Sequence, residues 1–294
     1  MREEESNKAK FNPGEDNAQT QDDGADPEIW PPGMKIVNPQ LANSIREQGM
    51  LQPPNTLGYI HLAAELERPR LLHKISAKKL VLLEKLKGAS KTLREGEPEV
   101  RRADVFNAFM IPPGSKEGRR VIQEGHFDLH VAEFDIVVLV ECESVEAACR
   151  VRKSQAFVDL QALLEAEAKF VRCLTAKNPK RIAEVDKTCD GIFLFNYFFA
   201  ADVASKGTAG IDILLGVWEY TAGWWTAKAN LTNSTPLQPI AGEQSEYSLI
   251  NHCRWNRPLD VFPHLIFRPS LKEFVLKNFT ANDIIAMPIL YHLA

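Results

Sequence analysis

The segment Ser248-Leu249-Ile250-Asn251-His252-Cys253-Arg254-Trp255 holds the chain's most reactive combination of side chains. Read as a strand, it puts Ile250, His252 and Arg254 on one face and Leu249, Asn251, Cys253 and Trp255 on the other. Where the first face borders a cavity, His252 is a candidate general base, its pKa lowered by the neighbouring positive charge, and Arg254 orients the substrate. Ordinary hydrogen bonding of both residues at a sheet end is the competing reading. Asn196 interrupts the apolar run GIFLFNYFFAA at 191–201. A buried amide without a partner costs about 1–3 kcal/mol, so Asn196 must meet Asn251, a ligand carbonyl or a buried water. Asn196, its neighbour Tyr197 and Asn251 are therefore candidate substrate-binding residues. Trp218, Tyr220, Trp224 and Trp225 crowd a single helix. Trp218, Ala222 and Trp225 share a face suited to packing on a sheet, while Tyr220 and Trp224, four residues apart, form a second face able to wall a flat aromatic substrate or to pack in a core.

No tightly spaced chemical motif accompanies these residues. The five cysteines, at 142, 149, 173, 189 and 253, are an odd number with no Cys-x-x-Cys pair, as expected of reduced thiols inside a cell. Neither a Gly-x-Ser-x-Gly elbow nor a glycine-rich phosphate loop occurs. His126 and His130 are spaced for one helical face, but Gly125 and the absence of an apolar stripe there read as a loop, so no metal site is expected.

The formal charge of −4 is unevenly spread: Met1 to Glu28 carries nine acidic and three basic residues, which leaves the rest of the chain close to neutral. A near-neutral body has no basic surface for neutralising phosphates, so no nucleic-acid partner is expected. Apolar runs are short and interrupted, and the acidic, polar start has no secretory or transit character, which gives a cytoplasmic protein with no membrane span as the expectation.

Residues 1–54 read as an acidic, Pro-containing and mostly disordered tail whose second half lies along the body. Residues 55–180 then run strand, helix, strand, strand, helix, strand. The strands fall near Leu57–Ala64, Ala103–Ile111, Phe134–Val140 and Lys169–Ala176. One helix starts at Pro69 and stops at Gly88, and another is capped by Ser144 and runs to about Ala168. Residues 181–294 repeat that order, with strands at Gly191–Ala201, Tyr247–Trp255, Val261–Phe267 and Ile284–Leu293. The helices of this half cover about Ile211–Asn230 and the stretch after Ser270. Pro236 and Pro239 mark a loop, and Pro263 and Pro288 place their strands at an edge or a break.

This doubled order resembles the dimeric α+β barrel (ferredoxin-like) superfamily, which includes EthD-like and antibiotic-biosynthesis-monooxygenase-like proteins. The likeness spans about Leu57 to Leu293 and concerns element order only, so no family residue carries over. It implies an α+β fold of two tandem ferredoxin-like (βαββαβ) repeats closing an intramolecular barrel, with the pocket inside and the helices outside. It further implies a hydrophobic or aromatic small molecule as partner, held between the repeats of a monomer or homodimer. Oxygenase, cyclase, isomerase or decarboxylase chemistry without a cofactor is the leading expectation. Haem, which some members use, is disfavoured because nothing singles out His73, His264 or His292 as an axial ligand. A non-catalytic binding or scaffold protein of the same fold is the alternative.

Overall fold

The computed structural model describes residues 30–41, 51–69, 74–112, 129–201, 203, 207–267 and 269–294. Eight strands close into one antiparallel barrel: β1 (Gly58–Glu65), β2 (Val100–Met110), β3 (Ile136–Cys142), β4 (Phe170–Lys177), β5 (Ile192–Ala200), β6 (Ser234–Pro239), β7 (Leu249–Trp255) and β8 (Ile284–Leu293). Around the barrel the order is β1-β3-β2-β8-β5-β7-β6-β4. Within β1–β4 and within β5–β8 the strands therefore stand in the same sequence, fourth, first, third, second. The two sets join where β2 pairs with β8 and β4 with β6.

The helices lie outside the barrel. Those of the first half are α1 (Ala77–Gly96), α2 (Val145–Val151) and α3 (Gln155–Glu165), each started by a serine, at 76, 144 and 154, whose side chain accepts a hydrogen bond from the first turn. The second half has α4 (Thr208–Ala229), α5 (Phe262–Phe267), a π-helix (Leu271–Leu276) and α6 (Lys277–Ala281). Gly88 does not end α1, because Leu93 beyond it is fully buried, and that contact outweighs the roughly 1 kcal/mol cost of a helical glycine. The helix expected over 144–168 is broken at Arg152 and capped anew by Ser154.

Two assignments in the second half are corrected. The stretch with Pro236 and Pro239 is strand β6, not a loop. Its ladder to β4 is only two pairs long, and this short ladder accommodates prolines as a sheet edge does. Residues 262–267 form a helix rather than a strand, with Pro263 in the first turn, where its missing N–H costs nothing. Pro288 lies in β8, beyond the residues that pair with β2.

Every second residue of each strand points into the barrel, and together they fill it: Tyr59, His61, Phe106, Leu139, Leu174, Phe193, Phe195, Tyr197, Leu237, Ile250, His252, Ile289 and Tyr291 are all buried there. Eight strands enclose a space about one side-chain layer wide. Phe195 stacks on His252 with centroids 4.3 Å apart, and Phe106 meets Phe193 and Phe195 edge-on at 5.2 Å. Both mouths are stoppered. At one, the connector between the halves inserts Val185 and the buried Lys187, whose Nζ pairs with Glu141 of β3 at 2.7 Å. At the other, Ala132 and Phe134 are fully buried, with Tyr291 donating to the Phe134 carbonyl and Tyr247 to that of His130.

Among the described residues, the space expected to hold a pocket between the two sheets is filled, because the alternating positions supplied rings large enough to occupy it. Two imidazoles are sealed inside. His252 Nδ1 donates to the Leu194 carbonyl at 3.3 Å, while its Nε2 has no partner. His61 Nε2 shares a 3.3 Å hydrogen bond with the Tyr197 hydroxyl. Burial, and then the Lys187 ammonium, hold His252 well below the usual imidazole range, and burial takes His61 down to about 3.

Acid should expose these neutral histidines. As pH falls below about 6.5 the unfolded chain takes up protons that folded His61 refuses until about 3. Stability, level above pH 6.5, should then drop by up to about 1.4 kcal/mol per pH unit for each sealed imidazole. Urea unfolding at pH 7.5, 6.0 and 5.0 checks this. His61→Phe should flatten the decline, and an unchanged slope in that variant would refute the assignment. Separately, Lys187→Met should cost about 3–5 kcal/mol by leaving Glu141 buried and alone, with most of the loss recovered on adding Glu141→Leu.

Candidate functional site

A cavity of about 90 Å³ lies on the outer face of the second-half sheet, beneath its helices. Alternation sets this up: residues of β5 and β7 that do not fill the barrel, namely Leu194, Asn196, Phe198, Asn251, Cys253 and Trp255, form its floor, with Ser234 of β6 and Pro288 of β8 at the sides. Trp218, Thr221, Ala222 and Trp225 of α4 form one wall. Leu265 of α5, Leu271, Val275 and Leu276 of the π-helix and Phe279 of α6 form the other. Large rings meet at odd angles here, Trp225 lying 5.9 Å from Trp255 with planes 60° apart.

The lining is apolar apart from one corner. There Asn196 and Asn251 are direct cross-strand partners, and Pro288 flanks Asn196 on its other side. The Ser234 hydroxyl donates to Asn251 Oδ1 at 2.6 Å. Asn196 Oδ1 is buried and has no hydrogen-bond partner. Such an acceptor is expensive in a dry setting, about 1–3 kcal/mol, and a donor on a bound molecule would remove that cost. Thr221 is already engaged, its hydroxyl donating to the Val217 carbonyl at 2.8 Å. Cys253 at the floor is a buried thiol whose pKa burial pushes well above the ordinary value, so it stays protonated and non-nucleophilic.

The residues singled out from sequence divide between these surroundings. Asn196 and Asn251 line the cavity. Tyr197 and His252 point the opposite way, into the barrel core, because they occupy the other parity of the same strands. Arg254 shares that parity and stands at the barrel mouth, its guanidinium 5.7 Å over the Phe193 ring and bonded to Asn256 and the Asp190 carbonyl. Tyr220 and Trp224 face away from the sheet: Tyr220 meets Trp30 edge-on at 5.3 Å and Phe274 at 5.1 Å, and Trp224 donates to Ser270 at 3.2 Å. The helix face assigned to sheet packing, Trp218, Ala222 and Trp225, is the one that walls the hollow.

Ser234, Trp255 and the π-helix had no place in the sequence reading of a site. The available signal was α4 itself, apolar over nearly its whole circumference and hence covered on both sides. His130, of the spaced histidine pair, bonds to Glu65 at 2.9 Å, and His126 lies outside the described residues. Among the described residues no cluster of three or more His, Cys, Asp or Glu is arranged to hold a metal ion, and no helix is long and apolar enough to cross a membrane.

No protein-family profile matches the chain, and no curated protein matches it. Solved structures do. An anthrone oxidase-like protein aligns over 81% of this chain and 91% of its own length at 9% identity, with a TM-score of 0.54. A monooxygenase candidate from Fusobacterium nucleatum aligns over 81% and 93% at 9% identity, TM-score 0.49. A mutant chlorite dismutase from Candidatus Nitrospira defluvii aligns over 85% and 95% at 10% identity, TM-score 0.44. The expectation that the chain uses no cofactor, with haem disfavoured, is corrected: the structures it resembles include chlorite dismutases, which are haem proteins. The residues lining the cavity described here do not fit a porphyrin, however. They include no histidine for the iron and no Lys or Arg for the propionates, and the one thiol is held protonated. At these identities the likenesses concern architecture, and on that ground the chain has the ferredoxin-like α+β barrel fold.

Proposed function

We propose that the chain is a small-molecule enzyme of the oxygenase type, and that it takes a compact, largely apolar ring compound bearing one hydroxyl or N–H donor into the cavity between the second-half sheet and α4. The single observation that carries this reading is Asn196 Oδ1, an acceptor without a partner at the polar corner of an otherwise greasy hollow. Trp218, Trp225 and Trp255 offer flat surfaces for the ring, and Asn251, held by Ser234, stands beside Asn196. The oxygenase class is supported by the shared fold of the anthrone oxidase-like protein. In this reading Asn196 and Asn251 contact the ligand, while His252, Arg254, Tyr197, Tyr220 and Trp224 hold the surrounding structure.

We read residues 55–180 and 181–294 as tandem ferredoxin-like repeats, a reading supported by the common strand order of the two sets.

Phenol and toluene differ by the donor alone and make a direct test. Phenol should quench the cavity tryptophans with at least about tenfold higher affinity than toluene, the equivalent of one hydrogen bond to a buried acceptor. Asn196→Leu should abolish the preference while leaving toluene binding intact. Equal phenol affinity in Asn196→Leu and the unaltered chain would refute the role given to Asn196.

A further inference from the structure

Residues 30–38 run over the outside of the helices whose inner faces wall the cavity. Pro31 and Met34 sit on Gly216 of α4, where a Cβ would come within 2.9 Å of both, and Trp30 packs against Tyr220 one helical turn along. Beyond Met34 the segment crosses to the other wall. The Asn282 side chain accepts from the Lys35 N–H at 2.8 Å and donates to the Lys35 carbonyl at 2.7 Å. Asn278, one turn earlier, does the same for Val37 at 2.9 and 3.1 Å. Asn38 then donates to the Glu273 carbonyl in the π-helix at 2.6 Å.

Four of these bonds end on the main chain of residues 35 and 37, so the two asparagines read peptide groups at alternate positions of an extended segment, regardless of its side chains. The segment spans α4 at one end and the π-helix with α6 at the other. Those are the two walls of the hollow: Trp218 and Thr221 belong to the first, Leu271, Val275 and Phe279 to the second. A π-helix is a strained local geometry that persists where surrounding contacts hold it.

We infer that residues 30–38 are a strap that fastens the two walls together through main-chain recognition by Asn278 and Asn282, and that its docking sets how readily the walls part to admit a ligand. The second clause rests on the ligand-binding reading given above. The first does not. Gly216 serves this arrangement, since alanine would favour the α4 helix but push the strap off it.

The test uses the full chain and four proteins: unaltered, Val37→Pro, Val37→Ala and Gly216→Ala. Val37→Pro deletes the N–H that Asn278 accepts without touching either asparagine, whereas Val37→Ala keeps it. Amide hydrogen exchange is followed on 271–276, and phenol association is followed by tryptophan quenching in stopped flow. Val37→Pro and Gly216→Ala should each raise exchange of 271–276 about fivefold, the opening expected from one lost hydrogen bond, and should speed phenol association by a similar factor. Val37→Ala should match the unaltered chain. Unchanged exchange in Val37→Pro and Gly216→Ala would overturn the strap. Raised exchange with unchanged phenol kinetics would overturn its control of access. Should phenol bind none of the proteins, the earlier ligand reading fails, and exchange alone still decides whether the strap fastens the walls.

Discussion

A ring of eight strands leaves room inside for about one layer of side chains, and here that layer is spent on aromatic rings. Every other placement follows from it. With the inner face of each strand committed to Phe106, Phe193, Phe195, Tyr197 and their neighbours, the cavity described above lies on the outer face, where a sheet meets helices. The inner faces also carry the two histidines into a medium that forbids their charge. His252 and Arg254, neighbours of one parity in the sequence, thus stand apart in surroundings, the imidazole stacked among the interior rings and the guanidinium at the barrel rim.

The two outer faces are filled differently. Over the first-half sheet, Ile60, Leu62, Val138 and Val140 meet the aliphatic stripe of α1 and the alanines of α2, small shapes that interdigitate closely. Over the second, α4 presents Trp218 and Trp225, and the opposing wall is a π-helix whose side chains fall at unusual angles. Bulky rings and irregular backbone leave a gap that aliphatic residues would close. A lone amide in that gap then becomes the feature a ligand can exploit.

Much of the architecture was legible in the letters. The largely apolar run at 134–140, the serine cap at 144 and the alternation of 248–255 all act locally, and local chemistry survives into the folded chain. Asn196 was also recognisable, since an amide in an aromatic strand has few acceptable surroundings. The parity of the strands was not. Nothing within 249–255 says whether Asn251 or His252 looks inward, because both faces of that strand are buried. The choice is made by the opposite side of the barrel. Strand β6 was hidden for a similar reason: its prolines argue against pairing unless one knows that its neighbour β4 reaches it for only two residues. The apolar residues on the outer side of α4 are covered by the N-terminal segment, which the sequence reading did not assign to that helix.

The plug at the barrel mouth ties these observations to the way the molecule can move. The stretch that joins the halves does not bypass the core but enters it, with Val185 among the interior rings and Lys187 bound to a carboxylate of the first-half sheet. Swinging one half away from the other would uncork the centre and strand both charges, so a clamshell motion is closed to this chain. Whatever breathing accompanies its work belongs to the outer helical shell, and the cylinder beneath serves as a fixed anvil.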